Sequence, residues 1–173
     1  DFRDRLCEAA ERLFAEHGPA AVTMRQLAAE LGVSPMTPYR YFKDKDEILA
    51  AVRTRAFRRL ADAMDAAEAK LSTSDWIQPG EAYFEWAMAN RDAYRLMFIE
   101  PPAKRYPELG AAMHRARATM AAGWRRAQAQ GRFNGDVEDA AHMCWTATHG
   151  VLVLELSGML RPPVQARSIA MRA

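Results

Sequence analysis

Apolar residues recur every three or four positions along most of this chain, and no stretch alternates steadily between apolar and polar residues. Spacing of three or four is typical of an amphipathic α-helix, whereas alternation is typical of a strand. The first segment shows the pattern, with Phe2, Leu6 and Phe14 on one face and with Gly18 and Pro19 ending the helix after residue 17. The chain is therefore predicted to be all-α.

The second helix carries the clearest start and stop signals. Thr23 is an N-cap residue, and Gln26 three positions later completes a capping box. Val22 before the cap and Leu27 inside the helix form the matching hydrophobic staple. Gly32, for which we expect a positive φ, ends the helix.

The next element follows almost at once, because only Val33 separates Gly32 from Ser34. Two short helices joined by so tight a turn form a helix-turn-helix. With Ser34 as N-cap, Pro35 is the first helical residue, and Pro38 removes only the bond to the Ser34 carbonyl. We predict a recognition helix of about two turns here, and a non-helical loop is the alternative.

A longer helix is predicted after Asp44, an N-cap residue followed by Asp46 and Glu47 at the positive end of the helix dipole. Breaks rich in Pro, Gly and Asn divide the rest of the chain. Further helices are predicted near residues 79–89, 92–99, 108–130, 136–159 and 164 to the end.

Two domains are predicted from this organisation. The first is a three-helix helix-turn-helix module over residues 1–46, with the motif itself at 23–42. The second is a larger helical domain over residues 47–173.

Composition narrows the class of protein. Half of the residues are hydrophobic, too many for a disordered chain, and charges interrupt every long apolar run, so no membrane span is expected. The charged start has no signal-peptide pattern, so we expect a cytoplasmic protein with a trimmed N-terminal arm.

Cys7 and Cys144 are expected to be unpaired thiols, with a disulfide as the alternative. The net charge of +2 falls within residues 1–60, which weakly favours a polyanionic partner.

Residues 34–45, called here the recognition segment, have the chemistry to contact DNA. Hydroxyl groups and cations bind phosphates, while Met36 and the Thr37 methyl group could contact thymine methyl groups. The alternative is a solvated polar surface, with Tyr41 or Phe42 in the small core; Phe42 itself is expected to be core. The candidate DNA-binding residues are Thr23, Arg25, Ser34, Pro35, Met36, Thr37, Tyr39, Arg40, Tyr41, Lys43 and Lys45.

The stretch TMRQLAAELGVSPMTPYRYFKDKDEIL resembles the DNA-binding module of TetR-family transcriptional regulators, and the likeness covers roughly residues 2–55. Pro38 stands where that family usually has Leu, Ile or Val, and we expect it to fill the same apolar contact. The positions that match are Thr23, Arg25, Leu27, Ala28, Gly32, Val33, Ser34, Thr37, Tyr39, Tyr41, Phe42 and Lys45.

A weaker resemblance continues beyond the module. YFEWAMANRDAYRLMF and CWTATHGVLVLELSG are similar to the WHG type of TetR-family C-terminal domain, through Trp145, His149 and Gly150. The first stretch departs from that type, with Asn90 to Asp92 where a proline is common. The resemblance implies a helical ligand-sensing domain and a homodimer formed through the last two helices.

Methionine and aromatic side chains in the second domain suit an adaptable apolar pocket, although such residues at helical spacing are usually ordinary core. The expected ligand is a small apolar or aromatic effector. His149 lies one helical turn from Trp145 and is more often a core histidine than a ligand group. The candidate effector-binding residues are Met64, Phe84, Met88, Tyr94, Met97, Phe98, Met120, Trp124, Trp145 and His149.

No catalytic or metal-binding pattern accompanies these residues. The four histidines lack metal-ligand spacing, and there is no phosphate-binding glycine loop or nucleophile elbow, so no enzyme, cofactor or metal is predicted. The favoured function is a sequence-specific, ligand-responsive repressor that binds a palindromic double-stranded operator as a homodimer. One alternative is an all-α small-molecule-binding protein or enzyme without DNA activity. The other is an architectural DNA-binding protein with a solid core and no ligand.

Overall fold

The computed structural model describes residues 1–70, 80–98, 105–160 and 165–170, and every regular element within these ranges is helical. The all-α prediction is therefore confirmed. A 3-10 helix covers Pro38–Arg40. The α-helices are α1 (Phe2–His17), α2 (Met24–Glu30), α3 (Lys45–Glu68), α4 (Gly80–Ala89), α5 (Arg91–Met97), α6 (Pro107–Ala129), α7 (Val137–Leu156) and α8 (Ala166–Ala170). Within the described ranges, no helix combines the length and the apolar character needed to cross a bilayer.

The helix ends that were predicted from capping residues are confirmed. The Thr23 backbone N–H donates to Gln26 Oε1 at 2.8 Å, and the Gln26 N–H donates to Thr23 Oγ1 at 3.2 Å, which completes the capping box. Gly32 has a φ of 65°, a conformation that residues with a Cβ rarely adopt. The Glu47 N–H donates to Asp44 Oδ1 at 2.9 Å, so Asp44 caps α3 as expected.

The chain divides into two compact units. The first comprises Asp1–Phe57 and Asp92–Met113, so α5 belongs with the N-terminal helices. Leu96 of α5 joins a buried cluster with side chains of α1, α2 and α3. The other members of that cluster are Leu6, Cys7, Ala10, Phe14, Val22, Met24, Leu27, Phe42, Ile48, Leu49 and Val52.

The second unit comprises Arg58–Arg91 and His114–Ala173. In its described part α4 packs against α7 and α8, and α7 also packs against α8. Gly80, at the start of α4, sits against α7: a Cβ built on it would lie 3.1 Å from Cys144 Sγ and 3.1 Å from Thr148 Oγ1. A side chain at position 80 would therefore require the Cys144 or Thr148 side chain to move by a few tenths of an ångström.

The predicted two-turn recognition helix starting at Ser34 is wrong. The Ser34 carbonyl accepts a hydrogen bond from the Thr37 N–H at 2.9 Å, a three-residue turn, and the helix that follows is a single 3-10 turn that begins at Pro38. Pro38, and not Pro35, is thus the first helical residue. The reason is that Pro38 has no N–H to donate to the Ser34 carbonyl, so an α-helical bond cannot form there. Ser34 Oγ still caps the turn, accepting from the Met36 N–H at 3.4 Å.

Candidate nucleic-acid interface

The recognition segment alternates between anchored and exposed side chains. Pro38 is buried and Phe42 is only 2% exposed, which confirms the apolar roles predicted for both. Met36 is 68% exposed, Tyr39 49% and Tyr41 38%, unusually high values for large apolar and aromatic side chains. The segment therefore presents its bulky groups outward from two buried anchors.

Backbone hydrogen bonds hold the outward-facing turn in one shape. The Pro38 carbonyl accepts from the Tyr41 N–H at 3.0 Å and from the Phe42 N–H at 3.1 Å. Immediately after the turn, the Lys43 N–H donates to Glu47 Oε2 at 2.6 Å. The side chains of Tyr39 and Arg40, between these bonds, are exposed on a fixed backbone.

The first turn of α1 also contacts this segment, and sequence reasoning missed that contact. The rings of Phe2 and Tyr41 lie 4.8 Å apart between centroids. The Arg3 guanidinium lies 4.3 Å above the centre of the Phe42 ring, and its Nη1 donates to the Tyr41 carbonyl at 3.5 Å. Nothing in local spacing could have revealed this, since 38 residues separate Arg3 from Tyr41.

The side chains of the candidates Thr23 and Lys45 also make hydrogen bonds within the protein. Thr23 Oγ1 donates to Gln26 Oε1 at 2.8 Å within the capping box. Lys45 Nζ donates to the Ala20 carbonyl at 3.2 Å and so ties the start of α3 to the chain before α2. Arg25, in the first turn of α2, is exposed.

The eleven candidate DNA-binding residues all lie in the first compact unit, at α2, in the recognition segment or at the first residue of α3. Ser34, Pro35 and Lys43 are exposed, and Thr37 is half-buried. The structure thus brings together on one unit every residue that the sequence placed in the interface.

The ten candidate effector-binding residues are divided between the two units. Tyr94, Met97 and Phe98 belong to the first unit, where the Tyr94 and Phe98 rings lie 5.2 Å apart between centroids. The other seven belong to the second unit: Met64, Phe84, Met88, Met120, Trp124, Trp145 and His149. Five of the ten are buried, namely Met64, Phe84, Tyr94, Met97 and Met120.

Trp145 and His149 share a face of α7, as predicted, with their ring centroids 6.0 Å apart. Trp145 is 36% exposed, and its Nε1 donates to the hydroxyl oxygen of buried Tyr83 on α4 at 3.2 Å. His142 stands on the other side of Trp145, with its ring centroid 6.2 Å from the indole. Burial lowers the pKa of His149, because the charged imidazolium loses hydration there.

A second exposed apolar surface runs along α7. Met143 is 71% exposed, Val153 47% and Leu154 41%, and Gly150 between them is also exposed. These positions lie within about 100° of one another around a helix of 3.6 residues per turn. A Cβ built on Gly150 would meet no atom of the described residues within 4 Å, so packing among these residues does not require a glycine there.

Neither cysteine is in a disulfide, as predicted, and both are buried. Burial raises the pKa of both thiols, since it disfavours the thiolate. Among the described residues, no group of three or more His, Cys, Asp or Glu side chains is arranged to hold a metal ion.

Comparison with known proteins relates both parts of the chain to one family. Residues 6–52 match the family described as bacterial regulatory proteins, tetR family, and residues 76–173 match the tetracyclin repressor-like C-terminal domain. The HTH-type transcriptional regulator Rv1816 of Mycobacterium tuberculosis is 29% identical over 101 residues, which cover 56% of this chain and 43% of that protein. The chain therefore spans less than half the length of the relatives it matches by sequence.

Two solved structures resemble nearly the whole chain. A Rhodococcus sp. RHA1 protein of unknown function has a TM-score of 0.83 and 26% identity, covering 99% of this chain and 91% of that one. The TetR family transcriptional regulator PfmR from Thermus thermophilus has a TM-score of 0.67 and 25% identity, covering 97% and 93% respectively.

Proposed function

Because the chain belongs to the TetR family of bacterial regulatory proteins, we propose that it is a sequence-specific DNA-binding regulator, a ligand-responsive repressor that acts as a homodimer on a palindromic operator. The observation that carries the proposal is the recognition segment itself. Met36, Tyr39 and Tyr41 are exposed on a turn whose neighbours Pro38 and Phe42 are buried. Large apolar groups held outward at the tip of a helix-turn-helix are suited to the major groove and its flanking phosphates.

The side chains divide by the part of DNA that their chemistry fits. Met36 and the Thr37 methyl group present apolar contacts for thymine methyl groups, and Arg25 presents a fork that matches a guanine edge. Tyr39, Tyr41 and Lys43 offer hydroxyl and ammonium donors to phosphates, and with Thr23, Ser34, Pro35, Arg40 and Lys45 they complete the proposed interface.

The homodimer is proposed to form through α7 and α8, with the exposed face of α7 defined by Met143, Gly150, Val153 and Leu154 as its centre. Contiguous exposed apolar residues on one helix face are typical of a protein–protein interface. A glycine in a helix interior costs up to about 1 kcal/mol relative to alanine. Because no described residue packs closely enough to need a small residue at position 150, we attribute the glycine to the close approach of a second copy across a two-fold axis.

The effector is proposed to be a small apolar or aromatic molecule that binds in the second unit, which holds seven of the ten residues predicted from the sequence. Support comes from the second unit, where Trp145 is partly exposed beside His149, and where Met64 and Met120 are soft side chains that adapt to irregular shapes. Such a ligand would release the operator only if it bound the DNA-incompetent arrangement of the dimer more tightly.

Genomic operator selection with the full chain tests the DNA-binding proposal. The selected sequence is expected to be a palindrome whose half-sites lie one helical turn of DNA apart, or a multiple of it. The affinity for this sequence should fall steeply as the salt concentration rises. Tyr39→Ala should weaken binding to it, whereas Lys70→Ala, which removes an exposed cation outside the recognition segment, should not. If the purified protein shows no salt-dependent preference for any sequence, a helical ligand-binding protein or enzyme without DNA activity becomes the better explanation.

The effector proposal has a separate test. Apolar and aromatic compounds should be screened for those that raise the melting temperature and also release the selected operator. Trp145→Ala should lose the response to a compound that passes both criteria. If the protein binds the operator but no compound in the screen releases it, the architectural alternative is favoured.

A further inference from the structure

A single 3-10 turn does not hold its own shape. Helices of this type have poor hydrogen-bond geometry, and even α-helices need about 12 residues to be marginally stable alone in water. Pro38–Arg40 has three residues, so contacts from outside the turn must fix it. Pro38 and Phe42 provide two of these contacts by being buried.

The third contact comes from α1. The Arg3 guanidinium covers the Phe42 ring at 4.3 Å from its centre and also donates to the Tyr41 carbonyl at 3.5 Å. Beside it, the Phe2 ring contacts the Tyr41 ring at a tilt of 36°. Tyr41 and Phe42 are the two residues whose N–H groups close the turn on the Pro38 carbonyl. Arg3 therefore touches the turn at both residues that define its end.

We propose that Arg3 is a positioning residue for DNA recognition. By contacting Tyr41 and Phe42, it holds the recognition turn in place. The side chains of Met36, Thr37 and Tyr39 are thereby kept in the position and orientation that base and phosphate contacts require. The inference rests on the proposed DNA-binding function. A planar guanidinium is needed, because it stacks on an aromatic face and donates from its edge at the same time, which a lysine ammonium does not do.

A competing explanation is that Arg3, which is exposed, contacts a phosphate directly. The two roles differ in what they do to binding. A lost phosphate contact weakens specific and non-specific binding alike and reduces the salt slope by about one. A loosened recognition turn weakens specific binding, leaves the salt slope unchanged and lowers the ratio of specific to non-specific affinity.

The experiment compares Arg3→Met, Arg3→Lys and Arg5→Met, the last of which removes the same charge from the same exposed end of α1. Affinity for the selected operator and for random duplex DNA is measured over a series of salt concentrations. Both Arg3 variants should bind the operator about tenfold more weakly, with unchanged salt slope and near-normal binding to random DNA. Arg5→Met should retain the wild-type specificity ratio. Amide hydrogen exchange at Tyr41 and Phe42 should be faster in both Arg3 variants only.

Wild-type affinity in Arg3→Lys together with a smaller salt slope in Arg3→Met would overturn the positioning role in favour of a phosphate contact. Wild-type operator binding by both Arg3 variants would overturn it outright. Failure of the unaltered protein to prefer any operator would instead overturn the DNA-binding function, and the positioning role with it.

Discussion

Arg53 Nε donates a hydrogen bond to the backbone carbonyl of Met97 at 3.0 Å, although Arg53 is only 5% exposed. Met97 is the last residue of α5, where helix geometry leaves carbonyl groups without partners inside the helix. A cation near the carbonyl end of a helix is also favoured by the helix dipole. Arg53 thus joins α3 to α5 inside the first unit.

Replacing Arg53 with methionine should destabilise the protein. Arg53→Met keeps much of the side-chain volume but leaves the Met97 carbonyl without this donor, and hydrogen bonds to charged groups contribute about 1.5–3 kcal/mol. Urea denaturation should show a loss of unfolding free energy in that range. Lys70→Met, at an exposed position just after the end of the same helix, should change it by no more than about 0.5 kcal/mol. Equal effects of the two substitutions would show that the bond to Met97 contributes nothing specific.

Local signals explain why so much of the fold could be predicted. The ends of α1, α2 and α3 follow from residues within a few positions of each end, such as Thr23 with Gln26 and Asp44 with Glu47. The family resemblance, also carried by residues close together in sequence, is confirmed by the matches over both parts of the chain. The contacts that were missed join residues far apart in sequence, for which hydrophobic periodicity gives no signal. They are Arg53 with Met97 and Arg3 with Phe42.

The recognition helix shows a second kind of failure. The sequence correctly predicts the hydrogen bond that Pro38 removes, but it also predicts an otherwise normal helix of about two turns. In the structure this loss determines which kind of helix forms. The Ser34 carbonyl accepts a hydrogen bond from the Thr37 N–H instead, and only one 3-10 turn follows. When an element is this short, one missing donor is a large fraction of its hydrogen bonds.

Restoring that donor should therefore change which bases are read. Pro38→Leu keeps an apolar side chain at the buried position and supplies the N–H that the Ser34 carbonyl lacks, so the α-helix can start near residue 34 and move Met36 and Thr37. Operator selection should yield a different preferred sequence at one or two positions of each half-site, with the same salt slope. Pro107→Ala, at the exposed first residue of α6 and outside the proposed interface, is the control and should keep the wild-type preference. An unchanged operator for Pro38→Leu would mean that the turn is not set by proline.

Lys43 and Lys45 should respond differently to removal of their charge. Each substitution, Lys43→Met and Lys45→Met, should reduce the salt slope of DNA binding by about one, as expected for a phosphate contact. Because Lys45 Nζ also donates to the Ala20 carbonyl, Lys45→Met should in addition lower the unfolding free energy by about 0.5–1.5 kcal/mol. Fluorescence anisotropy over a salt series and thermal unfolding measure the two effects. A normal salt slope in Lys45→Met would assign its ammonium group to the structural bond alone.

Acidification should destabilise the protein through His149. Burial lowers its pKa below the usual histidine value, so between the folded and unfolded pKa values the unfolded chain binds more protons. The stability associated with neutral His149 is complete above about pH 6.5 and is lost as the pH falls from there through the folded pKa. Urea denaturation between about pH 8 and pH 5 should show this loss in the wild type and a smaller one in His149→Gln. Identical pH profiles for the two proteins would show that His149 does not contribute to the pH dependence of stability.

A bulky residue at position 150 should prevent the proposed dimer. Gly150→Leu places a large side chain at the centre of the exposed α7 face, where a Cβ meets no described residue. The monomer should therefore fold with unchanged or slightly greater helical stability. Sedimentation velocity should show a shift from dimer to monomer, and affinity for a palindrome should fall towards that for an isolated half-site. Ala129→Leu adds comparable bulk at an exposed position of α6 and should leave both measurements unchanged. A Gly150→Leu protein that remains dimeric would place the interface elsewhere and leave the glycine on α7 without an explanation.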